Sequence, residues 1–247
     1  MKAGDLKISV VIPVHNHGRY LGEAIQSILA QTRPAAEIIV IDNCSTDDTA
    51  DVAKSFLPRI RYLYEERKGL GEARNRGVEA AKGDFIAYLD ADDIWFPEKL
   101  AVQVEAFAIR PGIDLVGAFV ETFYSPELDP EMRKRIRCPP GPLPGLAASA
   151  LMAKRDVYDR VGLYETHWHV GSDLNWLTRA CDAGLETFIV PQVLIRRRLH
   201  SQNSGWRERE YARERVLILK QAIDRRGAVD ATAKSEGGGK MNRGEER

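Results

Sequence analysis

The sequence has few cysteines, no long apolar run and no net charge, and each absence excludes a class of protein. Its three cysteines, Cys44, Cys138 and Cys181, are widely spaced and form no CxxC pair, so neither a disulfide framework nor a zinc site is indicated. Lysine plus arginine and aspartate plus glutamate both number 36, so no overall field attracts nucleic acid. We therefore expect no nucleic-acid partner.

The N-terminal segment lacks an apolar stretch long enough for a signal peptide, and no stretch approaches the roughly 20 apolar residues of a membrane span. We expect a cytoplasmic protein without a transmembrane segment, for which peripheral association with a membrane stays open. The 247 residues are 44% hydrophobic, which suffices for one large α/β domain or two small ones. The sequence does not indicate an oligomeric state.

The first 93 residues alternate between apolar strands and amphipathic helices. Strands are predicted at residues 8–14, 37–41, 60–64 and 85–89, with helices at residues 20–31, from Asp48 to Pro58, and at residues 72–82. This order, with crossover helices between strands, predicts a mostly parallel, doubly wound sheet.

The most informative stretch is DFIAYLDADD at residues 84–93, in which five apolar residues end in Asp90, Ala91, Asp92 and Asp93. A strand that is apolar on both alternations is buried on both faces, and unpaired carboxylates are costly to bury. The acids should therefore lie at the strand's carboxyl end, in the crevice of an open α/β sheet. Hard oxygen ligands there suit a divalent cation that carries substrate phosphates. From these residues alone, an acidic turn that caps the next helix is an equal alternative.

Two further predicted strands end in polar residues that lead into a helix, at His15-Asn16 and at Asp42-Asn43. Right-handed crossovers bring such ends to the edge of the sheet where the acids lie. This convergence favours a binding site over an isolated acidic turn.

The second half of the chain is less regular. Helices are predicted at residues 97–109, 154–161, 174–183 and 207–226, and strands at residues 115–123 and 187–190. The proline-rich residues 125–144, which contain the basic run RKRIR, are interpreted as a surface excursion. Residues 227–247 are interpreted as a disordered tail.

Four motifs, in this order and spacing, resemble family 2 glycosyltransferases of the GT-A fold. They are VVIPVHN at residues 10–16, IVIDNCSTDDT at residues 39–49, GLGEARNRGVEAAKGDFIAYLDADD at residues 69–93 and VGSDLNWLTRACDAG at residues 170–184. The resemblance runs from about residue 8 to residue 204. It implies a Rossmann-like, mostly parallel twisted sheet flanked by helices.

The resemblance also implies one domain over residues 1–226. A nucleotide-sugar-binding half spans residues 8–110, an acceptor and catalytic-base half spans residues 111–204, and a C-terminal helix spans residues 205–226.

The implied activity is transfer of a sugar, with inversion, from a nucleoside diphosphate sugar to the hydroxyl of a carbohydrate or other acceptor. A UDP-sugar is the favoured donor, Mn²⁺ or Mg²⁺ is the implied cofactor, and synthesis of a cell-surface polysaccharide or glycoconjugate is the implied setting. Matched residue by residue, Asp173 is the implied catalytic base, and Asp92 and His200 are the implied metal ligands. The implied nucleotide-sugar-binding residues are Pro13, Val14, Asn16, Asp42, Ser45, Gly71, Arg74, Asn75, Asp90, Ala91 and Asp92.

Such a reaction needs a cation near the departing diphosphate and a base that takes the proton of the acceptor hydroxyl. Arg74 or the run at residues 196–198 could add a further cation. Asp173 precedes a predicted helix, whose dipole favours the ionised carboxylate, and a plain N-cap is its alternative role. His15 and His17 are interpreted as loop residues rather than as ligands.

Two other functions stay open at this point. A sugar-phosphate nucleotidyltransferase would need a glycine-rich GxGTR-like loop after the first strand, and none is present. A non-catalytic nucleotide-sugar-binding paralogue is disfavoured because Asp92 and Asp173 are both retained.

Overall fold

A computed structural model describes residues 6–203 and 208–237, with side chains of the second segment described over residues 212–227. The described strands are β1 (Ile8–Val14), β2 (Glu37–Asn43), β3 (Arg61–Glu65), β4 (Phe85–Tyr88), β5 (Ile94–Trp95), β6 (Leu115–Tyr124), β7 (Leu143–Gly145), β8 (Met152–Lys154) and β9 (Thr187–Leu199). The described helices are α1 (Gly18–Leu29), α2 (Thr49–Lys54), α3 (Leu70–Ala80), α4 (Lys99–Ile109), α5 (Pro130–Arg135), α6 (Val157–Val161), α7 (Ser172–Asp182) and α8 (Glu208–Gly237). A short 3-10 helix spans Ala148–Ala150.

The strands form one sheet in the order β3-β2-β1-β4-β8-β6-β9-β5, with β7 paired to β6. Neighbours among β3, β2, β1 and β4 are parallel, so their carboxyl ends meet at one edge, as the alternation of strands and helices predicts. Beyond β4 the sheet is mixed, because β8 runs antiparallel to both β4 and β6 while β9 runs parallel to β6. The predicted α/β fold with helices flanking the sheet is confirmed.

All seven residues of β1 are buried, which explains why its sequence is apolar on both alternations. Val10 and Ile12 pack in the core cluster that includes α1, whereas Val11 packs in the cluster that includes α3. At Gly77 of α3, an added Cβ would lie 2.3 Å from a methyl carbon of Val11. Glycine therefore permits the close approach of α3 to β1, and this approach sets the position of Arg74 one turn earlier in α3.

The strand predicted at residues 187–190 was too short, because β9 continues to Leu199. Its pairing with β6 shifts register twice between Ala118 and Val120, and Pro191 lies in the shifted segment, where a ladder hydrogen bond is not required. The continuation matters for the site, since it carries the arginines at residues 196–198 toward the edge where β4 ends.

The C-terminal helix α8 also continues past its predicted end at Arg226, to Gly237. Residues 228–236 contain no proline and are rich in alanine, lysine and glutamate, which are good helix formers. Residues 238–247 of the predicted tail lie outside the described residues. The division of the chain into two functional halves stays a prediction.

Over the part of the chain that the structure describes, no helix combines the length and apolarity needed to cross a bilayer.

Candidate functional site

A cleft of about 280 Å³ lies at the carboxyl edge of the parallel strands. Six residues predicted from the sequence line it: Pro13, Arg74, Asp90, Ala91, Asp92 and Asp173. The segment after β4 and the first turn of α7 thus contribute carboxylates to one space, although they are far apart in the sequence. We refer to this space as the cleft.

Two further cavities adjoin the cleft. One, of about 230 Å³, shares Pro13, His15 and Leu70 with it and is also lined by Val14. The other, of about 320 Å³, shares His17 and Gln202 with the cleft, and Asn16 and His200 line it. Nine of the predicted site residues therefore line one of three connected spaces, and these nine are Pro13, Val14, Asn16, Arg74, Asp90, Ala91, Asp92, Asp173 and His200.

Four predicted residues, Asp42, Ser45, Gly71 and Asn75, lie outside these three spaces and make contacts within the protein. One oxygen of the buried Asp42 accepts the backbone N–H of Ser45 at 3.0 Å, and the other accepts the Tyr62 hydroxyl at 2.7 Å. The Ser45 hydroxyl accepts the backbone N–H of Asn16 at 3.0 Å. These bonds tie the turn after β2 to the turn after β1.

The turns after β1 and β2 also contain the two residues, among those the structure describes, that have a positive φ without being glycine. Asn16 has a φ of 54° and Cys44 a φ of 60°. Asparagine tolerates this conformation, while cysteine does so at a cost of about 1–2 kcal/mol. A glycine would adopt this conformation without that cost.

Gly71 and Asn75 hold α3 against the segment that leads to α7. Asn75 donates to the carbonyl of Tyr164 at 2.9 Å and accepts its N–H at 2.8 Å. A Cβ on Gly71 would lie 3.2 Å from the carbonyl oxygen of Glu165, so a larger residue would push this segment away. A direct part for Asp42, Ser45, Gly71 and Asn75 in nucleotide binding stays a prediction.

Arg74 joins the acids of the two sides of the cleft. Its side chain is 1% exposed, and its guanidinium forms an ion pair with Asp173 and lies 3.6 Å from Asp90. It also donates to the Ser172 hydroxyl at 3.2 Å. Arg74 is thus held by protein carboxylates, and the suggestion that it supplies a cation to a leaving group does not fit this arrangement.

The environment of Asp173 suits a proton acceptor. Burial raises the pKa of the Asp173 carboxyl, the positive charge of Arg74 lowers it and the negative charge of Asp90 raises it, with a net increase above its ordinary value. Burial lowers the pKa of Arg74, but the carboxylates of Asp173 and Asp90 outweigh this and keep it charged. A carboxylate with a raised pKa is a stronger base than an exposed one.

A second cluster at the cleft combines two imidazoles with a carboxylate. One ligand-type atom from each of His17, Asp92 and His200 lies within 4.8 Å of the others. The family resemblance implies Asp92 and His200 as metal ligands, whereas the sequence predicts His17 to be a loop residue. The signal that could have identified His17 is its place after β1, at the edge where Asp92 follows β4.

Hydrogen bonds fix the protons of this cluster. Nδ1 of His17 donates to the carbonyl of His15 at 2.7 Å, so in the neutral ring Nε2 has the lone pair that a metal would need. Nδ1 of His200 accepts the N–H of Gln202 at 3.2 Å, so Nε2 of the neutral ring donates to Asp92 at 2.9 Å. A metal bound through that Nε2 would replace this proton.

The carboxylate of Asp92 is held ionised. Burial raises the pKa of Asp92, but the hydrogen bond from His200 and the nearby imidazole of His17 outweigh burial and hold the pKa below its ordinary value. The next residue behaves in the opposite way, because burial and the charges of Asp92 and Asp90 hold the pKa of Asp93 well above its ordinary value. The two neighbouring acids therefore lie in opposite electrostatic environments.

Strand alternation decides which arginine of the run reaches the cleft. Arg196 pairs with Glu121 at 2.8 Å, and the buried Arg198 pairs with Glu23 and donates to the carbonyl of Asp92 at 3.0 Å. Arg197, which points to the other face of β9, lines the cleft. Of the arginines suggested from the sequence as additional cations, Arg197 has the suitable position.

Comparison with known proteins agrees with this fold. The model of "Glycosyl transferase family 2" matches residues 9–162, which is more than half of the chain. The chain therefore belongs to glycosyltransferase family 2. Membership in this family disfavours the alternative of a sugar-phosphate nucleotidyltransferase.

Curated relatives carry the same family name. An uncharacterized glycosyltransferase of Nostoc is 43% identical over 116 residues, which are 45% of this chain and 35% of the relative. The putative teichuronic acid biosynthesis glycosyltransferase TuaG of Bacillus subtilis is 39% identical over 102 residues, which are 40% of each chain. The match thus spans well under half the length of these relatives.

Solved structures of S. aureus TarS share the fold. TarS 1-349 in complex with UDP-GlcNAc superposes on this chain with a TM-score of 0.64 at 17% identity, and the match covers 80% of this chain and 60% of the TarS chain. The complex with UDP has a TM-score of 0.62 at 18% identity, covering 78% and 61% of the two chains.

Proposed function

We propose that the protein transfers a sugar from a nucleoside diphosphate sugar to an acceptor hydroxyl, with inversion and with the help of a divalent metal. The observation that carries this proposal is the single cleft in which Asp92 and Asp173 face the same space. Two acids of different charge environment, one beside imidazoles and one beside a guanidinium, suit two different tasks. This division also argues against the alternative of a non-catalytic paralogue.

The donor is proposed to lie along the carboxyl edge of β1 and β4. The cavity beside the cleft is lined by Pro13, Val14 and Leu70, whose apolar surface suits a nucleoside base. The diphosphate would then reach the cleft near Asp92 and Arg197. A UDP-sugar is the favoured donor, which the UDP and UDP-GlcNAc complexes of TarS support.

Asp173 is proposed to act as the base. In an inverting displacement, the acceptor hydroxyl attacks the anomeric carbon from the side opposite the leaving diphosphate, and one carboxylate suffices to take its proton. The raised pKa of Asp173 favours acceptance of that proton. Arg74 orients the carboxylate and keeps it ionised before the reaction.

The cluster of His17, Asp92 and His200 fits a divalent cation. One carboxylate and one or two imidazoles are a donor set that Mn²⁺ accepts readily, whereas Mg²⁺ prefers oxygen ligands. When bound, the metal would neutralise charge on the departing diphosphate. Mn²⁺ is therefore favoured over Mg²⁺ as the cofactor of this chain.

The acceptor is proposed to be a carbohydrate or another hydroxyl compound of a cell-surface glycoconjugate, as the name of TuaG suggests for that relative. The wall of the third cavity includes Glu127, Asp129 and Met132 from the excursion after β6, which gives this segment access to a bound acceptor. Cytoplasmic location and peripheral membrane association stay predictions from the sequence.

A thermal-shift panel of nucleotide sugars with Mn²⁺ tests the proposed function. A donor present at about 100 times its Kd should stabilise the protein by about 2.7 kcal/mol. For a chain of this size this corresponds to an increase in Tm of about 5 °C or more. We expect UDP-sugars to give the largest shift, with transfer or slow hydrolysis of the same donor detected by release of UDP. No shift with any nucleotide sugar would contradict the proposal.

A further inference from the structure

The C-terminal helix α8 makes a specific contact with the start of α7. One carboxylate oxygen of Glu214 accepts the backbone N–H of His169 at 3.0 Å and the Nδ1–H of the same residue at 3.0 Å. The other oxygen accepts the backbone N–H groups of Val170 at 3.1 Å and Gly171 at 3.3 Å. One side chain of α8 thus binds three successive backbone N–H groups of the segment before α7.

These N–H groups lie at a helix start that has no side-chain cap of its own. Gly171 is the N-cap residue of α7, and no side chain within α7 accepts a hydrogen bond at this cap. Unpaired N–H groups and the positive end of the helix dipole favour an anionic acceptor at such a position. Glu214 supplies that acceptor from another helix.

The carboxylate of Glu214 is suited to this contact. Burial raises its pKa, but hydrogen bonds from the backbone N–H groups of His169 and Val170 outweigh burial and hold the pKa below its ordinary value. Glu214 is therefore ionised at neutral pH, which makes its hydrogen bonds charge-assisted and stronger than those between neutral groups.

Packing fixes the same junction sterically. Ile218, one turn after Glu214, is fully buried, and a Cβ added to Gly171 would lie 2.3 Å from its Cδ1. The absence of a side chain at Gly171 therefore lets α8 rest directly on the start of α7. The hydrogen bonds and this contact together define where the first turn of α7 begins.

The first turn of α7 carries Asp173, and the segment bound by Glu214 also supplies His169 and Val170 to the lining of the cleft. We infer that Glu214 is a positioning residue for Asp173, which it holds where the carboxylate can take the proton of the acceptor hydroxyl. This inference rests on the proposed function, because it assumes that Asp173 is the base. It extends that function by assigning part of the catalytic geometry to the C-terminal helix.

Glu214→Gln tests the inference. Glutamine keeps one acceptor oxygen but directs an NH2 group at backbone N–H donors, which loosens the start of α7. A displacement of about 1 Å at a reacting group lowers turnover by on the order of 10- to 100-fold, so we expect a fall of that size in kcat. The donor KM should stay within about twofold, because the donor contacts lie on the β1 and β4 side of the cleft.

Asp182→Asn is the matched control, because Asp182 joins α8 to the opposite end of α7. Its carboxylate pairs with Arg225 at 2.8 Å and Arg226 at 2.7 Å. This variant weakens docking of α8 without touching the segment at residues 169–171. We expect a lower Tm with kcat unchanged.

Equal losses of kcat in Glu214→Gln and Asp182→Asn, or a loss confined to KM, would overturn the inference in favour of a purely structural contact. Should Glu214→Gln fail to fold, Glu214→Asp replaces it in the test, because it keeps the charge on a shorter side chain. We expect Glu214→Asp to lower kcat less than Glu214→Gln would, with KM unchanged, and wild-type kcat in this variant would overturn the inference.

Asp173→Asn separates the inference about Glu214 from the proposal that Asp173 is the base. Full activity of Asp173→Asn would refute the base, whereas an inactive Asp173→Asn beside a Glu214→Gln variant with wild-type kcat would refute only the positioning role.

Discussion

Asp173→Asn is expected to lower the turnover number by on the order of a thousandfold, which is typical of removing a general base. Asparagine has nearly the same shape and can still accept a hydrogen bond from Arg74, but it cannot take a proton from the acceptor hydroxyl. Donor affinity should change by less than about threefold, since interactions made only in the transition state are lost. Turnover and donor binding are measured separately, by release of the nucleoside diphosphate and by calorimetry.

Asp182→Asn is again the control, since Asp182 lies at the other end of the same helix and outside the cleft. It should keep wild-type turnover. A loss of turnover of less than about tenfold in Asp173→Asn would be smaller than the loss expected on removing a general base. Asp173 would then be an N-terminal residue of α7 with no part in proton transfer.

Arg74→Met is expected to be the most destabilising of the substitutions considered. Removing one partner of a buried ion pair leaves the other charge uncompensated and costs about 3–5 kcal/mol. The side chains of Asp173 and Asp90 are 29% and 38% exposed, so we expect the lower end, about 3 kcal/mol. Urea unfolding measures this difference.

The same substitution should shift the pH dependence of turnover in a defined direction. The charge of Arg74 lowers the pKa of Asp173, against the larger effect of burial. Without that charge the pKa rises further, so Asp173 stays protonated to a higher pH. The acidic limb of the kcat profile should therefore move to higher pH in Arg74→Met.

Arg76→Met, two residues along α3, controls for loss of an arginine from that helix. The side chain of Arg76 is 41% exposed and pairs with Glu79 at 3.7 Å, so its loss should cost no more than about 1 kcal/mol and leave the pH profile unchanged. An unchanged acidic limb in Arg74→Met would show that Arg74 does not control the charge of Asp173.

The edge of the sheet where the cleft lies could be predicted from the sequence because its information is local. The strand at residues 8–14 is apolar on both alternations, and the acids at residues 90–93 follow such a strand directly, so burial alone dictates where each must lie. Parallel pairing then brings these ends together. Strand identity and crossover handedness predict this edge of the sheet, whereas the roles of single residues came from the family resemblance.

The remaining features depend on contacts between distant segments. The residues around His17 predict a loop, and His200 lies beside it only because the chain returns to this edge after β9. The family resemblance implies that Arg74 binds the nucleotide sugar, whereas the docking of α7 makes it a buried partner of Asp173. The contact between Glu214 and residues 169–171 joins segments that no local pattern relates.

β9 shows a further limit of sequence patterns. Pro191 and the polar Gln192 interrupt its apolar run, which ends the predicted strand at Val190. The irregular pairing with β6 accommodates both residues and lets the strand continue to Leu199. Long-range pairing therefore overrides the local signal of a strand end.

The most direct test of the account is a calorimetric titration of the donor, with and without Mn²⁺, into the wild-type protein and three variants. We predict about tenfold tighter donor binding with Mn²⁺, as expected for two coupled ligands of one site. Asp92→Asn should lose this gain, His17→Gln should reduce it, and His167→Gln, at an exposed position outside the cleft, should keep it. Equal donor affinity of the wild-type protein with and without Mn²⁺ would contradict the central claim.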